Sequence, residues 1–508
     1  MSRTARLLLL ASIALVCSAH IGSPDAWYNG PAGPYTVLVH VKAPAVVPGI
    51  AEISVKPEGA VDAVSAFVNK FDAVEGGPPP DVARPVADNP GWYRTQLWVM
   101  DPGSNSVTVS LRGAKGVGLV VVPLVAVAAR RLQFNGVLSA LLVAAALVLV
   151  AGLLTLVGAA VREAVLPPGA TPDAVRKQRA RFAMVRGAVV IVLAVGGLGF
   201  WWGAEDTIFA QGLFKPLAVT ARTEFVDGVG TRLVFTITDS AWTQRNAARR
   251  VRARGGTEFT SLIDDHQKLM HMFVIAENGQ AHFAHLHPTT SDSVTFTSML
   301  PPLPAGRYRV FADVLHATGF TQTLTAGLTL EVPRVLDDAR LTDADDAWIA
   351  GAPAENNTTA TLGDGGTATW LGAGAKVVAG AEARLRFSIT PAVGDTAQLE
   401  DYLGMLGHAA VVRDDGAVFI HLHPMGTIST GAQAVLSREP AHTMSQSHEM
   451  QGDTVPDSPV RHSETLYFPY AFPQPGNYTV WVQVKRRGAV QTCAFQVQVA
   501  AANGESRP

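Results

Sequence analysis

Val137 to Val161 is a run of 25 residues without one charged side chain, and it restricts the fold of this chain more than any other stretch. A run of that length crosses a hydrocarbon core about 30 Å thick with some tilt. A second, shorter run, Gly187 to Ala204, ends near Trp201-Trp202, aromatics of the kind that anchor at a membrane interface. Between the two runs, Arg162, Arg176, Lys177, Arg179, Arg181 and Arg186 outnumber Glu163 and Asp173. The positive-inside rule places 162–186 in the cytoplasm. The expectation is a hairpin of transmembrane helices, 137–161 and 187–204, with every other segment on the periplasmic, extracytoplasmic side of the cell membrane. The connecting loop is too short to house a signalling domain.

Composition agrees. Of 508 residues, 48% are hydrophobic and 16% charged, where a soluble globular chain carries about 25% charged residues. Forty basic residues against 42 acidic ones leave no basic field for a nucleic-acid backbone. At the start, Met-Ser-Arg-Thr-Ala-Arg, the apolar run Leu7–Cys17 and then Ser18-Ala19 read as a secretory signal peptide over 1–19. Cleavage there would make His20 the N-terminus, with an amine and an imidazole able to chelate together. The two cysteines are Cys17 and Cys493. One thiol would then remain in the mature chain, which excludes an internal disulfide or a Cys-x-x-Cys site.

The rest reads as short alternating strands separated by turns, the pattern of β-sandwiches. Residues 20–131 form one expected sandwich, with stretches such as Tyr35–Val41 and Tyr93–Val99; its His40 reads as a packed residue. After the second apolar run the chain repeats itself. Leu233-Val-Phe-Thr-Ile-Thr238 is answered by Leu385-Arg-Phe-Ser-Ile-Thr390, and His285-Leu-His-Pro288 by His421-Leu-His-Pro424. Gly306-Arg-Tyr-Arg-Val310 is answered by Gly476-Asn-Tyr-Thr-Val480, and Gly319-Phe-Thr-Gln-Thr323 by Gly488-Ala-Val-Gln-Thr492. Two copies of one sandwich are expected, over 206–335 and 379–501, with 336–378 as an Asp-, Ala-, Gly- and Thr-rich linker. The fold class is therefore mainly β: three sandwiches plus the helical hairpin.

Twelve of the 14 histidines follow residue 205. In each His-x-His-Pro, the period of two along a strand puts both imidazoles on one face. In the second copy, a two-residue Asp415-Gly416 turn sets His408 opposite His423 and makes a triad with His421. In the first copy, a three-residue loop over Asn278–Gln280 sets His271 opposite His287, beside His285. A two-residue Asn278-Gly279 turn would instead bring Met270 and Met272 to that face, since a register slip flips every side chain. His266, His282 and His316 read as surface or core residues. The second copy also carries an insertion with His442-Thr-Met444 and His448-Glu-Met450. Thioether and imidazole together favour copper, especially Cu(I), over magnesium or calcium; zinc is the less favoured ion. No nucleotide, hydrolase or HExxH signature is placed to act.

Lys268-Leu-Met-His271 with His282-Phe-Ala-His-Leu-His-Pro288, and Glu400-Asp-Tyr-Leu-Gly-Met-Leu-Gly-His408 with Val418-Phe-Ile-His-Leu-His-Pro424, resemble bacterial proteins with YtkA-like periplasmic domains. Such proteins recur beside copper-handling and cytochrome-oxidase genes. The resemblance implies immunoglobulin-like sandwiches and a copper connection, with His271, His285, His287, His408, His421 and His423 as the metal positions. It also implies an envelope partner that receives copper, or an oxidase under assembly. The His442–Met450 loop lies outside that pattern and rests on ligand chemistry alone. The functional expectation is a membrane-anchored protein that captures, buffers or delivers copper. The alternatives are a three-histidine metalloenzyme holding an activated water, or a non-catalytic adhesion or assembly protein of the envelope.

Overall fold

The computed structural model describes residues 25–71, 78–128, 135–167, 169–243, 251–252, 258–277, 282–331, 343–351, 357–437 and 464–502. His20, the signal-peptide segment and the whole His442, Met444, His448, Met450 loop lie outside the described residues. The chain divides into two compact units, 128–213 and the remainder.

The smaller unit is the helical pair. Gly136–Glu163 and Ala174–Gln211 are both long and apolar enough to cross a membrane. Asn135 caps the first by accepting from the Val137 amide, and Asp173 caps the second by accepting from Arg176. Gly158 lets the helices approach closely: a Cβ there would lie 2.6 Å from Met184 Sδ. The expected loop 162–186 is shorter than its sequence implied, because the second helix begins at Ala174 and carries its arginines on helical turns.

In the larger unit, Ala26–Ala32 to Gly116–Ala126 make one sheet of eight antiparallel strands rather than the expected two-sheet sandwich. The sheet curls until Gly118 packs against the carbonyl of Ala32, where a side chain would clash. Its inward alternating residues Val37, Val39, Val41, Ile53 and Val55 are fully buried in one core. His40 stacks on Trp27 with ring centroids 4.1 Å apart, a packed residue.

Each later repeat has two main sheets enclosing one core, and the first adds a two-stranded sheet, Val251–Arg252 with Glu258–Phe259. In the first, Leu233, Phe235 and Ile237 meet Met272, Val274, Val310 and Leu324. In the second, Leu385, Phe387 and Ile389 meet Val411, Val480 and Phe495. Segment 336–378 is more than a linker. Ala347–Ala350 pairs with the strand His282–Leu286, and Thr359–Thr361 and Thr367–Trp370 join the second repeat's four-stranded sheet.

The strand His271–Ala276 is buried along its whole length. Met272, Val274 and Ala276 face their own core, while Phe273 and Ile275 face the second repeat. There Phe311 stacks on Phe419 at 4.4 Å, and Phe283 on Trp481 at 4.9 Å. In the repeat alignment Phe311 corresponds to Trp481 and Phe283 to Phe419. The two stacks are therefore the same contact made twice about a pseudo-twofold axis, each adding about 0.5–1.5 kcal/mol beyond its buried area.

Candidate metal centre

Hairpin register decides where the imidazoles fall. Met272 pairs with Leu286 and Phe273 with His285, which sets His271 opposite His287. Ala409 pairs with Leu422 and Ala410 with His421, which sets His408 opposite His423. Of the two registers open to the first copy, the chain adopts the one that forms a histidine triad. Met270 and Met272 are core residues. In each triad the candidate ligand atoms lie within 4.8 Å of one another, and all six side chains are buried.

The outward nitrogen of five rings meets an acceptor. His271 Nε2 donates to the Asp265 carbonyl (3.1 Å), His408 Nε2 to the Tyr402 carbonyl (2.9 Å) and His423 Nδ1 to the Ile428 carbonyl (3.2 Å). His287 Nδ1 donates to Asp346 Oδ1 (3.0 Å), and His285 Nδ1 to Gln483 Oε1 (2.8 Å). For His421, Nδ1 stands at an ion-pair separation of 3.8 Å from Asp313. A carbonyl can only accept, so these partners assign the tautomers. The inward nitrogens of those five rings are then bare lone pairs.

Those lone pairs converge. His271 Nδ1 is 3.3 Å from His285 Nε2, and His408 Nδ1 is 3.1 Å from His421 Nε2. Nitrogens on one tetrahedral ion with bonds of about 2.0–2.1 Å stand about 3.3 Å apart. His287 Nε2 and His423 Nε2 are buried with no hydrogen-bond partner. Burial also keeps the rings neutral and available: it lowers His271 to about 4 and His423 to about 3. It holds His285, His287, His408 and His421 well below the usual range as well. A cation is the partner that this donor set fits.

The sequence placed one triad on each module; the fold puts both in one buried cluster. His421 lies 5.2 Å from His271 and 5.4 Å from His285, ring to ring, as near as its own partner His408 at 5.2 Å. The supports cross over too. Gln483 of the second repeat orients His285 and is itself tied to Thr492, while Asp313 of the first repeat faces His421 and is tied to Thr323. These are matching positions of the duplicated strands and of the Gly319 and Gly488 motifs. Tyr402 joins both sites, because its carbonyl holds His408 and its hydroxyl sits 3.2 Å from His285 Nδ1. The acceptor for His423 depends on the N-terminal sheet, where Gly426 pairs with Tyr28 and Thr427 bonds Trp27.

Sequence reasoning missed Asp346, Gln483, Asp313 and Tyr402, and it set His266 aside, although His266 packs against His423 and His408. His316 is the core residue expected, with its nitrogens taken by Thr260 and Gln322. His282 is half-buried at the start of its strand. Asp346 came from the supposed linker. One of its oxygens accepts from both the backbone and the ring of His287, and burial pushes the carboxyl up to about 7. Losing such a partner costs about 10–100-fold in metal affinity. Asp346→Ala should weaken the first site by that factor and leave the second unchanged, as measured by competition with a chelator of known affinity.

The repeats match a catalogued family. Residues 225–333 and 360–501 fit a family model described as a domain of unknown function (DUF8832). No curated protein matches the chain. Among solved structures, one similar chain is a protein from Corynebacterium diphtheriae described as membrane anchored, at 8% identity and a TM-score of 0.14, covering 95% of this chain and 97% of that one. Latent PorU from Porphyromonas gingivalis aligns at 9% identity and a TM-score of 0.14, covering 94% and 34%. Superpositions this poor say nothing about fold.

Proposed function

We propose that this is a membrane-anchored metal-binding protein that captures and holds copper outside the cytoplasm, as YtkA-like immunoglobulin-like domains would, and buffers it for delivery to an envelope partner. One observation carries the reading: five outward ring nitrogens are committed to acceptors, so three lone pairs converge at the first buried point with no proton between them, and two converge at the second beside His421. An all-imidazole donor set suits copper or zinc and not magnesium or calcium. Membrane anchoring rests on the two long apolar helices. Burial of all six rings favours retention over catalysis on a bulky substrate, and it implies that exchange needs a local opening.

The test is calorimetric titration of the full-length protein in detergent with Cu(II), with Cu(I) under reducing conditions, and with Zn(II). Two saturable sites per chain, tighter for copper, are expected. Absence of saturable binding by any of the three ions would overturn the reading.

A further inference from the structure

We infer that His266, on the first repeat, is a fourth ligand to the ion held by His408, His421 and His423 on the second, so that the two sites differ in coordination. This deepens the metal-binding reading and rests on it. Four imidazoles around one tetrahedral ion place their ring centroids about 5 Å apart, given metal–nitrogen bonds of about 2.0–2.1 Å. Within the second triad the separations are 4.6, 5.1 and 5.2 Å. His266 stands 4.8 Å from His423, within that spread, and 5.6 Å from His408, just beyond it, so a small movement of its turn would complete the shell; it stands 6.1 Å from His271 of the other triad.

Its nitrogens share one long hydroxyl contact, unlike those of the structural His316, which have a partner each. The Thr430 hydroxyl stands at long hydrogen-bond distance from both, 3.4 Å from Nδ1 and 3.3 Å from Nε2, and it also reaches Asp265 Oδ1 at 3.3 Å. Asp265 Oδ1 is 3.7 Å from Nε2, an ion-pair distance rather than a hydrogen bond. The side chain is only 4% exposed. A buried imidazole held only by one long, shared hydroxyl contact, beside the orphaned His423 Nε2, is a ligand in waiting.

The backbone explains why only one site has this residue. Asp265 and Lys268 exchange two backbone hydrogen bonds around a tight turn, and Tyr402 and Met405 repeat that turn in the second copy. The first left-handed residue is His266 in one turn, with φ of 52°, and Leu403 in the other, with φ of 56°. Duplication therefore gave each triad a matching turn, and only one turn carries an imidazole. A fourth imidazole adds a nitrogen donor that divalent copper uses and that Cu(I), content with three, does not need. The second site is thus the Cu(II)-preferring one of the pair.

Load the full-length protein in detergent with one equivalent of Cu(II) and record its electron spin echo envelope modulation, which counts coupled imidazoles. Four are expected in the wild type, and three would overturn the proposal without reference to any variant. His266→Leu, which copies the residue tolerated at Leu403, should weaken this Cu(II) at least tenfold in chelator competition and change its hyperfine splitting. The second equivalent should be unaffected, which reports an intact fold. If two ions bind and His266→Leu leaves both signals unaltered, His266 is no ligand and the three-histidine sites stand. If the wild type binds no copper at all, the underlying reading fails with it.

Discussion

His421→Ala should reduce copper binding from two ions per chain to one. His421 Nε2 is one of the three inward triad nitrogens of the second site, and without it the rings that remain, His266 included, leave one side of a buried ion without a donor. The loss should exceed the 10–100-fold effect of removing an outer partner, on the order of a thousandfold or about 4 kcal/mol. His285→Ala should do the same to the first site. The control is His316→Ala. His316 is as buried as the triad rings and packs among Trp242, Phe259 and Phe320. Its removal should lower the unfolding temperature while both ions bind as before. Metal content after dialysis, measured beside thermal unfolding, separates the two outcomes. Binding of two ions by His421→Ala would show that the converging nitrogens are a hydrogen-bonded polar cluster and no metal site.

The triads were legible in the chain because hairpin register follows from local rules. Side chains alternate with a period of two, and loop length fixes which residues face each other. That was enough to set His408 opposite His423. It left the first copy open between a histidine triad and a methionine-flanked pair, and the core position of Met270 and Met272 decides that choice. What the chain did not disclose is long-range. Gln483 and Asp313 reach the imidazoles only after two repeats have docked, and Asp346 only once its strand has joined the first repeat's sheet; no spacing encodes either event. A signal was present nonetheless. Phe273, Phe283, Phe311, Phe419 and Trp481 sit on the strand faces that a solitary module would expose to water, and aromatics there mean that the face is covered. The N-terminal sheet shows the same limit, since alternation reveals strands but not whether they close as one curled sheet or as two. His266 was hidden for another reason: it belongs to a turn, where neither helical nor strand periodicity applies.

Acid should unfold the metal-free protein at a pH where most domains are still stable. An unfolded histidine takes up a proton near pH 6.5, but in the folded protein burial delays this to about 4 at His271 and about 3 at His423, and to well below the ordinary value at the other four. Between those limits the unfolded chain binds more protons than the folded one, so stability falls as the pH falls. Two buried carboxyls act in the opposite sense. Asp313 and Asp346, each pushed up to about 7 by burial, take up protons in the folded state first and offset about two of the six histidines. The remaining four give a limiting slope of about 5 kcal/mol per pH unit. Against a total stability of about 5–15 kcal/mol, the transition should fall about one to three units below pH 6.5. Bound copper competes with the same protons and stabilises only the folded state, so loading should move the midpoint to lower pH. Near-ultraviolet circular dichroism during acid titration, with and without two equivalents of Cu(II), measures both. A metal-free midpoint below pH 3, unmoved by copper, would mean that neither burial nor an ion holds these rings neutral.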